Sequence, residues 1–380
     1  MLRSLRRSLI VITTFTVAVA SAAGPASAVD SSSSQLRQAA GTSAQLSPDV
    51  ARKVKGTDPA ARNRALAEYW TPERMRNARP VETVLRKTME PGTTLPAGAG
   101  IDRAQEPVIV PPAAPTVAPP AEVATTNGNA VVTPNAIPPN EPPPVTSPNT
   151  YLPDYPTGHQ VARTMGKVFF TMGGQEMVCS AGVVSSPGKA LVWTAGHCVH
   201  GGGSSGTWAH NWIFVPNYTL NSYGNPVAPY GIWYAAALFA ARDWIDYKRQ
   251  YSDLGAVIMQ FRGDKLLQNV VGSQGIAFSL PYYPSIAAFG YPAEAPFNGE
   301  LLWRANSPSG DAGASVSYML SGMNGGSSGG YWLAEFNGVT GLVNGHNAFT
   351  VDGVRGHMFS PYYGMSTREF YDEVKNYTPS

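Results

Sequence analysis

The segment Trp193-Thr-Ala-Gly-His-Cys198 places a histidine directly before a cysteine, at the end of a short apolar run that begins at Ala190. Such a run predicts a buried β-strand, so His197 would lie where that strand ends. A histidine in this position can be a core residue or a metal ligand as well as a catalytic base. The choice among these roles depends on the rest of the chain.

The N-terminus has the layout of a secretory signal peptide. Arginines occur at positions 3, 6 and 7, an apolar run spans residues 9–20, and Ala26-Ser-Ala28 supplies small residues for cleavage. The run is shorter than the ~20 apolar residues that a membrane-spanning helix needs. We therefore expect residues 1–28 to be removed on export, and the mature protein to be extracellular and free of the membrane.

Only two cysteines occur in the chain, Cys179 and Cys198. Together with His197 and His200 they could ligate zinc, which is the metal alternative for this region. Export favours a disulfide instead, because the extracellular compartment is oxidising. We expect a disulfide and no metal.

Two further segments carry residues suited to nucleophilic catalysis. In Tyr251-Ser-Asp-Leu-Gly-Ala-Val257, Asp253 starts an apolar strand, where a buried carboxylate needs a partner and could orient an imidazole. The Gly-rich segment Ser321-Gly-Met-Asn-Gly-Gly-Ser-Ser-Gly-Gly330 could present backbone amides to an oxyanion beside a serine nucleophile. Taken singly, these segments could equally be an exposed aspartate and a flexible loop.

The order His, Asp, Ser with these flanks resembles the chymotrypsin-like serine peptidases. Thr194-Ala-Gly-His-Cys198 matches the histidine motif of that family. Gly326-Ser-Ser-Gly-Gly330 matches its Gly-Asp-Ser-Gly-Gly motif with one change, Ser327 in place of aspartate. In animal members that aspartate pairs with a new N-terminal amine, so activation by such an ion pair is not expected here.

The resemblance implies a role for each matching residue. His197 would be the general base, Asp253 its orienting partner and Ser328 the nucleophile. The amides of Gly326 and Ser328 would form the oxyanion hole. The family also bridges the cysteine after its histidine to one on a preceding strand, which here pairs Cys198 with Cys179.

The substrate pocket follows from the same resemblance. Gly322 and Met323 take the positions at the base of the pocket, and neither is acidic, so a preference for Lys or Arg is not expected. Val343 takes the pocket-wall position where glutamate-specific relatives carry histidine. We expect a preference for apolar or small side chains, although a shifted alignment would bring His346 to that position.

The C-terminal part of the chain has the pattern of an all-β domain. Short apolar runs such as Gly166–Thr171, Ala190–Thr194 and Leu254–Met259 alternate with turn residues. The resemblance implies two six-stranded antiparallel barrels with the triad at their interface. The segment Ser366-Thr-Arg-Glu369 predicts a capping box at the start of a C-terminal helix that packs against a barrel.

Upstream of this domain the composition changes twice. Residues 29–106 are polar and Ala-rich and read as a largely disordered leader, either a propeptide or a plain tail, with one helix expected where Thr71 precedes Pro72. Residues 107–150 contain thirteen prolines between Pro107 and Pro148, which predicts an extended linker. The peptidase domain would then span residues 151–380.

The sequence therefore predicts a secreted serine endopeptidase that acts as a monomer on protein or peptide substrates. No cofactor is needed for this chemistry. A net charge of +2 with 14% charged residues argues against nucleic acid as a partner. The alternative is a non-catalytic binding module on the same fold.

Overall fold

The computed structural model describes residues 38–54, 58–85, 106–117, 149–153, 155, 158–221, 223–281, 285–351 and 354–379. The predicted signal peptide and most of the predicted Pro-rich linker lie outside these residues. The strands are β1 (Ala39–Ser43), β2 (Arg79–Pro80), β3 (Val108–Val110), β4 (Thr150–Tyr151), β5 (Met165–Met172), β6 (Gln175–Val183), β7 (Leu191–Ala195), β8 (His210–Pro216), β9 (Thr219–Leu220), β10 (Pro226–Val227), β11 (Trp233–Ala241), β12 (Leu254–Met259), β13 (Gly275–Phe278), β14 (Ser285–Gly290), β15 (Trp303–Gly313), β16 (Val316–Leu320), β17 (Tyr331–Ala334), β18 (Leu342–His346) and β19 (His357–Pro361). The helices are α1 (Pro48–Ala51), α2 (Pro59–Tyr69), α3 (Pro72–Asn77), α4 (Glu82–Leu85), α5 (Gln160–Thr164), α6 (Arg242–Tyr247), α7 (Leu267–Val271) and α8 (Met365–Val374).

Six strands close into a first barrel in the order β11, β12, β7, β6, β5 and β8, with β8 pairing back to β11. The hairpin between β5 and β6 turns at Gly173-Gly174, where both residues have positive φ. Such a turn matches the twist of the flanking strands, and glycine adopts it without steric cost. The barrel interior is filled by apolar side chains that include Val168, Phe170 and Trp193.

A second sheet follows in the order β19, β16, β15, β14, β17, β18, β13 and β3, with β4 added beside β15. Its own core contains Trp303, Met319 and Trp332. A closed six-stranded barrel with a second sheet is consistent with the chymotrypsin-like fold that the resemblance implied. The segments predicted to carry His197, Asp253 and Ser328 lie on turns between strands of these sheets.

The predicted elements correspond closely to observed ones. Residues 166–171, 190–194 and 254–259 lie in or beside β5, β7 and β12. The C-terminal helix is confirmed as α8, but the predicted capping box is wrong, because Gly364 is the N-cap and Ser366 lies within the first turn. Buried Phe370 packs its ring edge-on against Trp193, which fixes α8 to the first core.

The leader segment, defined here as residues 38–85, folds against the first barrel. Strand β1 pairs antiparallel with the free edge of β11, from Ala39 opposite Ala241 to Ser43 opposite Ala237. Helix α3 begins as predicted, with the Thr71 hydroxyl accepting a hydrogen bond from the amide of Arg74. Within the described ranges, no helix is long and apolar enough to cross a bilayer.

Candidate active site

His197 and Asp253 meet because their strands are neighbours. Strand β12 pairs antiparallel with β7, with Leu254 opposite Ala195, so the residues just outside this pair lie side by side. Asp253 Oδ2 is 2.7 Å from His197 Nδ1, and Oδ1 accepts the backbone N–H of His197 at 2.8 Å. Two hydrogen bonds therefore fix both the position and the rotation of the imidazole.

The glycine before His197 is required by this close approach. A Cβ at Gly196 would lie 2.9 Å from Asp253 Oδ1 and 3.0 Å from the ring of Trp244. Both side chains are buried, so neither can move away cheaply. The Ala-Gly-His order of the motif thus lets the carboxylate reach the imidazole.

Ser328 lies in the turn between β16 and β17. Residues of the first barrel hold this turn in place. The amide of Ser180 on β6 donates to the carbonyl of Ser328 at 2.7 Å, and the Ser180 hydroxyl donates to the carbonyl of Gly326 at 3.0 Å. Gly326 and Gly329 have φ of +93° and +81°, which side-chain residues rarely adopt. The serine is thereby fixed between the two sheets.

Ser327 stands where the family has aspartate, and its small side chain forms a hydrogen bond within the same turn. It is completely buried, and its hydroxyl donates to the carbonyl of Asn324 at 2.7 Å. Its own carbonyl accepts the Asn347 side-chain amide at 3.1 Å. The turn that carries Ser328 is thus held by neutral hydrogen bonds at this position.

The predicted disulfide is present between Cys179 and Cys198. It ties β6 to the turn that carries His197. Both sulfurs lie within 4.8 Å of a His197 nitrogen, an arrangement of the kind considered above for zinc. Because the sulfurs are bonded to each other, neither is a thiolate that could ligate a metal.

A carboxylate from the leader segment, which no sequence motif indicated, also lies in the site. Glu82, at the start of α4, accepts a hydrogen bond from the Ser328 hydroxyl through Oε1 and from the Gly326 amide at 3.1 Å through Oε2. Glu82 Oε1 also lies 3.7 Å from His197 Nε2. The carboxylate therefore contacts all three groups that the family resemblance assigns to chemistry on the substrate side.

The positive charge of a protonated His197 and the negative charges of Asp253 and Glu82 stabilise one another. Burial by itself lowers the pKa of His197, but the carboxylates of Asp253 and Glu82 raise it to about 10. Burial by itself raises the pKa of Glu82, whereas the His197 imidazole at 3.7 Å and the hydrogen bond from Ser328 bring that pKa below its ordinary value. With Glu82 in place, the stable pair at neutral pH is imidazolium and carboxylate.

A cavity opens beside Ser328 between the two sheets. On one side it is lined by Trp244, Lys248 and Gln250, and on the other by Asn324, Gly325, Ala348, Phe349, Thr350 and Met358. The two residues predicted to form the substrate pocket do not line it. Met323 packs in the second core, and Val343 is fully buried in β18 within the first core.

His346 also lies away from this cavity. It is fully buried, its backbone amide donates to the Ser360 hydroxyl, and its Nδ1 is 2.9 Å from the Tyr363 hydroxyl. Burial lowers its pKa to about 4, so it is neutral at physiological pH. The chain continues from His346 through Asn347 to Ala348, Phe349 and Thr350, which supply the pocket wall.

Comparison with known proteins agrees with the geometry. No protein-family model and no curated protein matches the chain. Among solved structures, the thermostable serine protease AL20 from an extremophilic microorganism is similar at 32% identity, with a TM-score of 0.53, covering 57% of this chain and 98% of that protein. The protease Anisep from Arthrobacter nicotinovorans is similar at 34% identity, with a TM-score of 0.52, covering 57% of this chain and 97% of that one.

Two relatives above 30% identity are thus matched over nearly their whole length, and both are proteases. The chain belongs to the chymotrypsin-like serine peptidases. The expected ligands of such a fold are proteins or peptides. Because each match covers 57% of this chain, a substantial part of the chain lies outside the matched region.

Proposed function

We propose that the protein is an exported serine endopeptidase that cleaves peptide bonds through an acyl-enzyme on Ser328. The observation that carries the proposal is the buried pair of hydrogen bonds from His197 to Asp253, in the same cleft as Ser328. Since Nδ1 of His197 donates to a carboxylate, its Nε2 is the nitrogen left to accept a proton. The two relatives support the reaction class.

In the proposed reaction Ser328 Oγ attacks the carbonyl carbon of the substrate while His197 Nε2 takes the hydroxyl proton. The resulting oxyanion would accept hydrogen bonds from the amides of Gly326 and Ser328. His197 then gives the proton to the amine that leaves. Water hydrolyses the acyl-enzyme by the same steps, with His197 again as base, and Ser328 regains its proton.

The cavity walls support a preference for apolar or small side chains before the cleaved bond. Ala348, Phe349 and Met358 offer carbon surface on the side of the second sheet. Among the described lining residues of that side, none is charged. A glutamate preference would need a cation there, and His346 is buried elsewhere.

The nucleophile is tested by labelling the protein from culture medium with a fluorophosphonate probe and identifying the modified peptide by mass spectrometry. We expect labelling at Ser328 and none in Ser328→Ala. The matched control Ser327→Ala removes the neighbouring hydroxyl and should keep the label. Labelling that persists unchanged in Ser328→Ala would overturn the assignment.

Endopeptidase activity and specificity are read from the same preparations. Peptides released from casein give the cut sites directly. Cleavage after apolar or small residues by the parent, and none by Ser328→Ala, is expected. A folded protein that has lost the leader segment and neither takes the probe nor cleaves casein would instead be a binding module.

A further inference from the structure

The leader segment is bound to the first barrel by a core of its own. Apolar residues of α2, of α3 and of the turn between them, among them Leu66, Trp70 and Met75, pack with barrel residues that include Phe169 and Ile213. Trp70 is 2% exposed, and its indole N–H donates to the carbonyl of Asn211 at 2.7 Å. Burial of this kind holds the segment on the barrel, because it removes large apolar side chains from water.

Polar contacts hold the two ends of the leader segment. At its start, the amides of Gln38 and Ala39 donate to the two oxygens of Glu373 at 2.7 and 3.1 Å. Near its end, Arg74 forms an ion pair with Glu176 at 2.5 Å, beside the hydroxyl of Tyr69. The described parts of the leader segment are therefore attached to the rest of the protein by polar contacts as well as by the apolar core.

The last part of the leader segment directs Glu82 into the cleft. Strand β2 pairs parallel with β6, with Arg79 opposite Met177 and Pro80 opposite Val178. The disulfide-bonded Cys179 follows on β6, so this pairing brings the leader to the edge of the catalytic site. Two residues after Pro80, the chain presents the Glu82 carboxylate to Ser328 and Gly326.

We propose that the leader segment is an inhibitor carried within the chain, and that Glu82 is its blocking residue. This inference rests on the proposed peptidase function. The carboxylate takes the Gly326 amide that an oxyanion would need, and it engages the Ser328 hydroxyl that would otherwise be available to the base. A substrate carbonyl cannot occupy the same position while Glu82 is bound.

The blocking group is also a poor target for the nucleophile. Ser328 faces a carboxylate, whose carbon bears no amine leaving group and is already surrounded by negative charge. The backbone at Glu82 begins the helical turn α4, so the following peptide bond is not extended beside the nucleophile. The leader therefore occupies the site without presenting a bond for cleavage there.

Full-length protein tests this proposal through the rate at which a fluorophosphonate labels Ser328. Glu82→Gln keeps the size of the side chain and removes its charge. A hydrogen bond to a charged group contributes enough for roughly 10- to 100-fold faster labelling after its loss. The matched control Glu68→Gln changes an exposed leader carboxylate and should label at the parent rate.

A second variant loosens the leader without altering any group in the cleft. Trp70→Ala removes the buried indole and its hydrogen bond to Asn211, so labelling should again be faster than in the parent. Equal labelling rates in the parent, Glu82→Gln and Trp70→Ala would overturn the inhibitor and leave the peptidase proposal standing.

Hydrogen exchange tests whether the leader segment is bound at Gly326, independently of whether Ser328 reacts with the probe. The amide of Gly326 donates to Glu82, so peptides covering residues 321–330 should exchange faster in Glu82→Ala, which has no acceptor at this position, than in the parent. This result is expected even if no chain takes the probe, in which case the peptidase proposal fails and the bound leader stands. Unchanged exchange in Glu82→Ala would overturn the bound leader whatever the labelling shows.

Discussion

The substitution Asp253→Asn tests the tautomer on which the proposed mechanism depends. Asp253 accepts the backbone N–H of His197 with one oxygen and faces Nδ1 with the other. A backbone N–H is always a donor, so the single oxygen of the new side chain must face it. The new amide group then faces Nδ1, which must be unprotonated, and the imidazole proton moves to Nε2.

That tautomer cannot accept the proton of Ser328. Restoring the working tautomer would place two N–H donors against each other where His197 is 3% exposed. Each unsatisfied buried donor costs about 1–3 kcal/mol, so two amount to a loss on the order of 10²–10⁴ in kcat. The backbone contact remains, so the fold should be kept.

The assay is ester hydrolysis with active-site titration, made in the Glu82→Gln chain so that the leader has the same effect on every variant. The control Asp246→Asn changes an exposed carboxylate on α6 and should retain full activity. A loss below tenfold in Asp253→Asn would refute the reasoning about the tautomer.

Three further predictions follow from contacts around the site. Replacing both Cys179 and Cys198 by alanine opens a loop closed over a sequence separation of 19. The free energy of unfolding, measured by urea titration, should fall by about 3 kcal/mol. An unchanged midpoint of the titration would contradict this. Because the pKa of His197 rises from 6.5 to about 10 on folding, its contribution to stability is complete below pH 6.5 and is lost as pH rises through about 10. The melting temperature of the full chain should therefore fall over that interval more than that of Glu82→Gln, and parallel curves would count against the ion pair. Gly329→Ala would put a Cβ 2.0 Å from a buried hydroxyl at a φ of +81°, so we expect loss of probe labelling and a lower melting temperature, whereas full labelling would show that the turn can relax.

The sequence was most informative at positions where two parts of the chain must come into close contact. The Ala-Gly-His and Gly-Gly signals exist because Gly196 and Gly329 leave no room for a Cβ, and such requirements are visible in one chain. The strands around them were also predictable from apolar runs. The start of α8 was misread because Ser366 has the residue type of a cap, while Gly364 takes that position through its extended backbone.

The residues that line the cavity were harder to predict. Counting from the serine motif pointed to Val343, but β18 continues to His346, and the pocket wall lies at Ala348 and beyond. Such a register depends on where the strand pairs, since the amide of Asn347 donates to the carbonyl of Gly330. That is a tertiary contact that no local pattern encodes.

The role of Glu82 was out of reach for a similar reason. It lies 246 residues from Ser328 in the chain, within a segment whose composition resembles a polar tail. A hint existed in the apolar residues Ala65, Leu66, Tyr69 and Trp70, whose spacing suits one face of a helix. That pattern indicated a buried face and did not say what it packs on.

The pairing of β1 with β11 has a consequence for handling a form of the protein that lacks the leader segment. Once the leader is gone, the edge Ala237-Leu-Phe-Ala-Ala241 offers unpaired backbone groups and no charge to repel a neighbouring molecule. Open apolar edges of this kind accept strands from other copies and start precipitation. A leaderless preparation should therefore aggregate at high concentration, so that the leader also shields this strand edge from other copies of the protein.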